Sequence, residues 1–133
     1  MICYESAYGD WSRLATKKGA LFLTVITNDG WWGDSPGHKQ HLEFSKLRAI
    51  ENRRSVARSA NTGISGFINQ RGDIIEQSGY WEQTALRNSI KANDNMTFYA
   101  RFGDYLYKIA VFMTALLVAL TIVKLIIGKQ WKH

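Results

Sequence analysis

The 133-residue chain is long enough for one small domain with a core of its own. It carries a net charge of +6 and a single cysteine, which excludes an internal disulfide. All 11 acidic and 13 of the 17 basic residues precede position 105, and that part has no basic run longer than a pair, which argues against a nucleic-acid surface. No signal peptide is visible ahead of the cysteine.

The chain opens MICYES, and residues 1–3 read as the end of a strand. Cys3 is either a small buried hydrophobe or a thiol with chemistry to do. A nucleophile at a strand end, lifted clear by a sharp turn, leaves the next backbone N–H free to face an oxyanion. Glu5 shares the side of Cys3 only if strand geometry persists. Otherwise it is a helix-start carboxylate or a surface charge.

YGDWSRLATKKG (8–19) has Trp11 and Leu14 at helical spacing before a glycine stop, which predicts a short helix. ALFLTVIT (20–27) is a continuous apolar, β-branched run and reads as a strand buried on both faces. NDGWWGDSPG (28–37) carries every turn signal and is a loop. His38 to Ser55 reads as helix, with Leu42, Ser45, Leu47, Ala49 and Ile50 on or near its inner side. His38 and His41 have a spacing that can share a metal, but the one further ligand nearby, Glu43, falls on another face, and they read as a polar first turn, with no metal site. Arg48, Arg53, Arg54 and Arg58 read as a solvated face with one or two ion pairs. The Trp31-Trp32 pair, taken alone, reads as a core plug.

VARSA, NTG and ISGFIN (56–69) read as strand, tight turn and strand. QRGD turns into a further strand at IIEQ, and SGYWEQ is loop. ALRNSIKA (85–92) alternates and is expected as another strand. NDNMTFYARFGD is irregular. The sum is α/β with hairpins.

YLYKIAVFMTALLVALTIVKLIIG (105–128) is apolar around its whole circumference, with Thr114 and Thr121 able to bond back to their own helix. Tyr105 to Ile127 would make about 34 Å of helix, enough for a hydrocarbon core of about 30 Å. Lys124 can snorkel, and Tyr105, Tyr107 and Trp131 fall where an aromatic belt would place them. Lys124, Lys129 and Lys132 favour a cytoplasmic C-terminus, with residues 1–104 on the outer side. The expected organisation is a domain over 1–104, a transmembrane helix over 105–128 and a basic cytoplasmic tail over 129–133.

ICYES, then TNDGWWGDSPGHKQH, the helix LRAIENRR, ARSANTGISGFINQRGDI, YAR at 99–101 and the final apolar helix occur in an order that resembles a known family. The chain resembles the C-terminal part of the nitrilase-type, or carbon–nitrogen hydrolase, enzymes, and within them the apolipoprotein N-acyltransferases. The resemblance implies the C-terminal part of an αββα sandwich followed by one membrane helix. It implies that Cys3 takes an acyl group from a phospholipid as a thioester and passes it to the N-terminal amine of a diacylglyceryl-cysteine apolipoprotein. Tyr4 would supply the backbone N–H beside the nucleophile, and Glu5 and Glu51 would support the site. Trp31, and Trp32 with it, would meet the lipid. No cofactor is implied, and the location would be a bacterial inner membrane.

Enzymes of this family also use a glutamate base and a lysine electrophile, both well before the cysteine. Only Met-Ile precedes Cys3. The expectation is a fragment, a split half or a truncated product, inactive by itself and partnered by a missing N-terminal half. The alternatives are a non-catalytic membrane-anchored half-domain and a membrane-anchored amidase.

Overall fold

The computed structural model describes the backbone of residues 1–130 and the side chains of residues 1–127. Trp131, Lys132 and the Lys129 side chain, used above for belt and orientation, lie outside the described residues. The chain forms two compact units, Met1–Gly103 and the segment from Asp104 onward.

In the first unit, a 3₁₀ turn at Cys3–Ala7 leads into α1 (Gly9–Lys17), β1 (Leu23–Asn28), α2 (Gly37–Asn52), β2 (Val56–Asn61), β3 (Gly66–Ile68), β4 (Ile74–Gln77) and α3 (Phe98–Phe102). The strands form one mixed sheet in the order β1-β2-β3-β4. β1 and β2 run parallel, Leu23 beside Val56 and Asn28 beside Asn61, with α2 as the crossover that a parallel pair requires. β2, β3 and β4 continue antiparallel through tight turns. Ile2 bridges to Ile26 in parallel, so the start of the chain does lie along the sheet.

Leu23, Val25, Val56, Ile64 and Ile68 point to one face and pack with Leu42 and Ala49 of α2. The opposite face is open. Along β1, Thr24, Ile26 and Asn28 alternate outward, and Ile26 is 63% exposed, so the expected burial of β1 on both faces is not met by the described residues. Thr24, Ile26, Ala57, Ser59 and Phe67 line a hollow of about 460 Å³ there, with Thr84, Ala85 and Leu86 on its rim.

Other expectations also change. Residues 85–92 form no strand. The segment bonds irregularly instead, Asn88 donating to the Glu76 carboxylate and the Lys91 carbonyl accepting from Ser55 and Gln70. α1 turns Ser12 and Thr16 inward and leaves Trp11 and Leu14 outside, its hydroxyls bonding to Gly9 and Ser12 carbonyls. α2 exposes Leu47 and Ile50 and buries His38, His41, Arg48 and Asn52. Irregular 93–104 contains α3, capped by Thr97, whose Oγ1 accepts from the Ala100 N–H and donates to the Glu51 carbonyl.

In the second unit, α4 (Tyr105–Gln130) contains the apolar run Tyr105–Ile127, with mean hydropathy 2.6, long and apolar enough to cross a membrane. Asp104 caps its first turn through the Tyr107 N–H. Thr114 and Thr121 bond back to the Ala110 and Leu117 carbonyls.

A candidate active site around Cys3

Cys3 opens the 3₁₀ turn with φ +50, a left-handed conformation that costs a side-chain-bearing residue about 1–3 kcal/mol. Several bonds hold it there. Glu5 Oε2 accepts from the Ile2 N–H at 2.7 Å while the Glu5 N–H donates to the Ile2 carbonyl at 3.1 Å. Strand geometry does not persist, and Glu5 is the helix-start carboxylate of the two readings. Ser6 Oγ donates to the Cys3 carbonyl at 3.1 Å.

Beneath the turn lies a buried polar cluster. His41 Nε2 is 2.9 Å from Ser6 Oγ and 3.2 Å from the Cys3 carbonyl, and its Nδ1 is 2.8 Å from Asp29 Oδ1. Arg58 donates to Asp29 Oδ2 at 2.6 Å, to Ser45 Oγ at 3.0 Å and to the Ile64 carbonyl at 3.1 Å. Thr27 Oγ1 lies 2.9 Å from Asp29 Oδ1 and 3.4 Å from Cys3 Sγ. Each of these side chains is buried except the thiol, which is partly accessible.

Burial alone would raise the Asp29 carboxyl. The hydrogen bond from His41, the Arg58 charge and the Thr27 hydroxyl overcome it and leave Asp29 below its ordinary 3.8. Burial lowers the Arg58 pKa from its ordinary value, and Asp29 and the nearby Cys3 oppose that. The pair is buried, oppositely charged and hydrogen-bonded, the one arrangement in which such charges are tolerated.

Ser6, His41 and Asp29 have the order and distances of a nucleophile, base and orienting acid. Ser6 cannot act as the nucleophile, because its side chain is fully buried and its hydroxyl is spent on the Cys3 carbonyl. The cluster supports the turn that presents the thiol.

Glu51 is remote in sequence but linked to the turn. Its carboxylate pairs with Arg48, at 2.9 Å to Nη2 and 2.8 Å to Nε, and Arg48 Nη1 donates to the Ala7 and Ser6 carbonyls at 2.9 and 3.3 Å. Burial raises the Glu51 pKa and Arg48 only partly offsets it. Arg54 is also buried, tying Ala20, Asn52 and Asn95 carbonyls together. The solvated arginine face is therefore corrected: after the left-handed cap at Arg53, the chain turns inward and carries Arg54 and Arg58 with it.

The two tryptophans diverge. Trp31 is 84% exposed, whereas half-buried Trp32 packs edge-on against His41 with centroids 5.3 Å apart and tilts against Tyr4 at 6.4 Å. A Cβ at Gly37 would come within 2.6 Å of the Trp32 ring, so this packing needs glycine there. Tyr4 itself is half-exposed and also meets Tyr8 and Phe44. His38 lies in the first turn of α2, as expected of a polar turn residue, but its side chain is buried. It stacks on Tyr80 at 4.0 Å, and Tyr80 Oη donates to the Gly33 carbonyl at 2.6 Å, which anchors the tryptophan loop.

Sequence reasoning missed Ser6, Thr27, Asp29, His41 and Arg58 as site components. A signal existed for Arg58, which shares the inward period of β2 with Val56, and for Thr27, the polar end of an apolar strand.

The carbon-nitrogen hydrolase family model matches residues 1–94. The chain is 40% identical over 104 residues to an apolipoprotein N-acyltransferase of Chlorobaculum tepidum, covering 78% of this chain and 20% of that one. It is 40% identical over 103 residues to an apolipoprotein N-acyltransferase of Pasteurella multocida, covering 77% and 20%. It thus spans about a fifth of the length of these relatives. The fold is similar to a carbon-nitrogen hydrolase crystal structure from Helicobacter pylori G27, with TM-score 0.54 and 15% identity over 62% of this chain and 36% of that one.

Proposed function

The chain belongs to the carbon–nitrogen hydrolase family, and on that premise we propose that it carries the nucleophile of a membrane N-acyltransferase. The observation that supports this most is Cys3 itself, accessible and held in a left-handed turn above a cluster that leaves no freedom to its carbonyl.

In the proposed reaction the Cys3 thiolate attacks the carbonyl carbon of a phospholipid ester. The tetrahedral oxyanion collapses to a thioester and expels the lysophospholipid alkoxide, which takes up a proton. The amine of a diacylglyceryl-cysteine apolipoprotein then attacks the thioester, forming an amide and returning the thiol. The thioester keeps the acyl group reactive toward an amine, so no energy cofactor is required. The Tyr4 N–H stands at the start of the 3₁₀ turn, where an N–H has no intrahelical acceptor, and is the proposed oxyanion donor. Glu5 and Glu51 act at one remove, Glu5 by closing the turn and Glu51 through Arg48. Trp31 is the proposed lipid contact, and Trp32 supports the loop that carries it.

The proposed base and lysine electrophile come from residues outside this chain, supplied by an N-terminal partner segment. In the proposed setting α4 spans the bacterial inner membrane, with the nitrilase-like unit over 1–104 outside the cytoplasm and the basic tail over 129–133 inside.

The test supplies that segment from a relative and incubates the assembly with phosphatidylethanolamine and a diacylglyceryl-cysteine peptide. The peptide should gain one acyl chain by mass. Ammonia release from small amides without peptide acylation would contradict the proposal and favour the anchored amidase.

A further inference from the structure

Thr27 occupies an unusual position between a charged oxygen and the sulfur. Its hydroxyl has one hydrogen but faces two acceptors, Asp29 Oδ1 at 2.9 Å and Cys3 Sγ at 3.4 Å. The side chain is buried, on the inward face of β1, in a strand paired to β2 with Thr27 beside Ala60. A β-branched side chain on a paired strand holds its χ1, so only the hydroxyl hydrogen is free to turn.

Asp29 does not depend on that hydrogen. The same oxygen accepts from His41 Nδ1 at 2.8 Å, and the other oxygen is held by Arg58 at 2.6 Å. Releasing the Thr27 donor leaves the carboxylate with a bond on each oxygen. The charged and titratable groups about the sulfur are Asp29 on the loop after β1, His41 on α2, Arg58 on β2 and Glu5 on the thiol's own turn, the last engaged by the Ile2 N–H.

We propose that Thr27 is a positioning residue whose hydroxyl follows the charge on Cys3: it donates to Asp29 while the thiol is protonated and turns to Sγ once the thiolate forms. While protonated, the thiol donates to the Thr27 oxygen. When the proton leaves to the general base, the hydroxyl rotates and the sulfur anion gains a donor without any heavy atom moving. A hydrogen bond made only to the charged form favours that form, and the thiolate is the reactive species. The inference rests on reading Cys3 as the nucleophile, but its test does not use the acyl-transfer reaction.

Cys3 is the only cysteine of the chain, so alkylation reports it alone. The full 133-residue chain in detergent micelles is treated with iodoacetamide at pH 7 and at pH 10, as wild type, Thr27→Val and Thr27→Ser. Thr27→Val, which keeps the shape and loses the hydroxyl, should slow alkylation about three- to tenfold at pH 7 and leave it within about twofold at pH 10, well to the alkaline side of a free thiol's usual range. Thr27→Ser should match wild type at both. An unchanged or faster rate for Thr27→Val at pH 7, or the same factor of slowing at both pH values, would overturn the proposal, since the first means no charge dependence or a loosened site and the second means altered access. Acyl transfer that survives Cys3→Ser would overturn the nucleophile reading and leave this result standing.

Discussion

Asp29 accepts from His41, Thr27 and Arg58 with its side chain out of water, and that sets its pH behaviour. Its folded pKa lies below the ordinary 3.8. The stability it contributes is therefore complete above the unfolded value and is lost as pH falls through the lower, folded one. Chemical unfolding measured between pH 7 and pH 2 should lose stability below about pH 4, and Asp29→Asn should flatten that limb while lowering neutral stability by about 3–5 kcal/mol, because Arg58 is left as an uncompensated buried charge. A variant with unaltered neutral stability would contradict the assignment. Glu51 has the opposite sign. Its raised pKa means that ionisation costs stability as pH rises through the folded value, although Arg48 limits that cost. The sequence singled out Cys3 and Glu51 through the motif around each. It hid the cluster because Thr27, Asp29 and His41 come from a strand end, a loop and a helix, which only the parallel crossover brings together.

The loop between β1 and α2 divides its two tryptophans by environment, and so should their substitutions. Trp31→Ala removes an exposed ring and should shift the unfolding free energy by less than about 0.5 kcal/mol, yet impair acyl loading in the completed enzyme. Trp32→Ala removes a ring packed on Tyr4 and His41 and should cost about 2–4 kcal/mol. Comparing melting temperature with acyl loading for both decides it, and equal losses of each in Trp31→Ala would contradict the lipid-facing role. At α3, Thr97→Ala removes the cap and should cost about 1 kcal/mol in denaturant unfolding. The same scale explains where periodicity misled. α2 has a weakly apolar pattern because its inner face carries His41, Arg48 and Asn52, which find buried hydrogen-bond partners, and His38, which stacks on Tyr80, while Leu47 and Ile50 lie outside. Segment 85–92 alternates like a strand yet bonds to the side chains of Glu76, Ser55 and Gln70, so its pattern had no ladder to join.

For the whole molecule, the α/β class and the apolar terminal helix were readable because both depend on long runs, ALFLTVIT with its crossover and Tyr105–Ile127. The open face of the sheet was not, since a continuous apolar run looks the same whether one or both faces are covered. The proposed topology predicts that a reporter fused after His133 is active only on the cytoplasmic side, and a periplasmic signal there would contradict it. Formation of an acyl thioester on Cys3 is open to direct detection. The chain, alone and completed by the N-terminal segment of a relative, is incubated with acyl-labelled phospholipid and then with hydroxylamine, as wild type and Cys3→Ser. A hydroxylamine-sensitive label is expected on Cys3 in the completed wild type, with none on Cys3→Ser and none on the chain alone, to which the partner segment's proposed base and electrophile are not supplied. Equal labelling of the completed Cys3→Ser protein would contradict it.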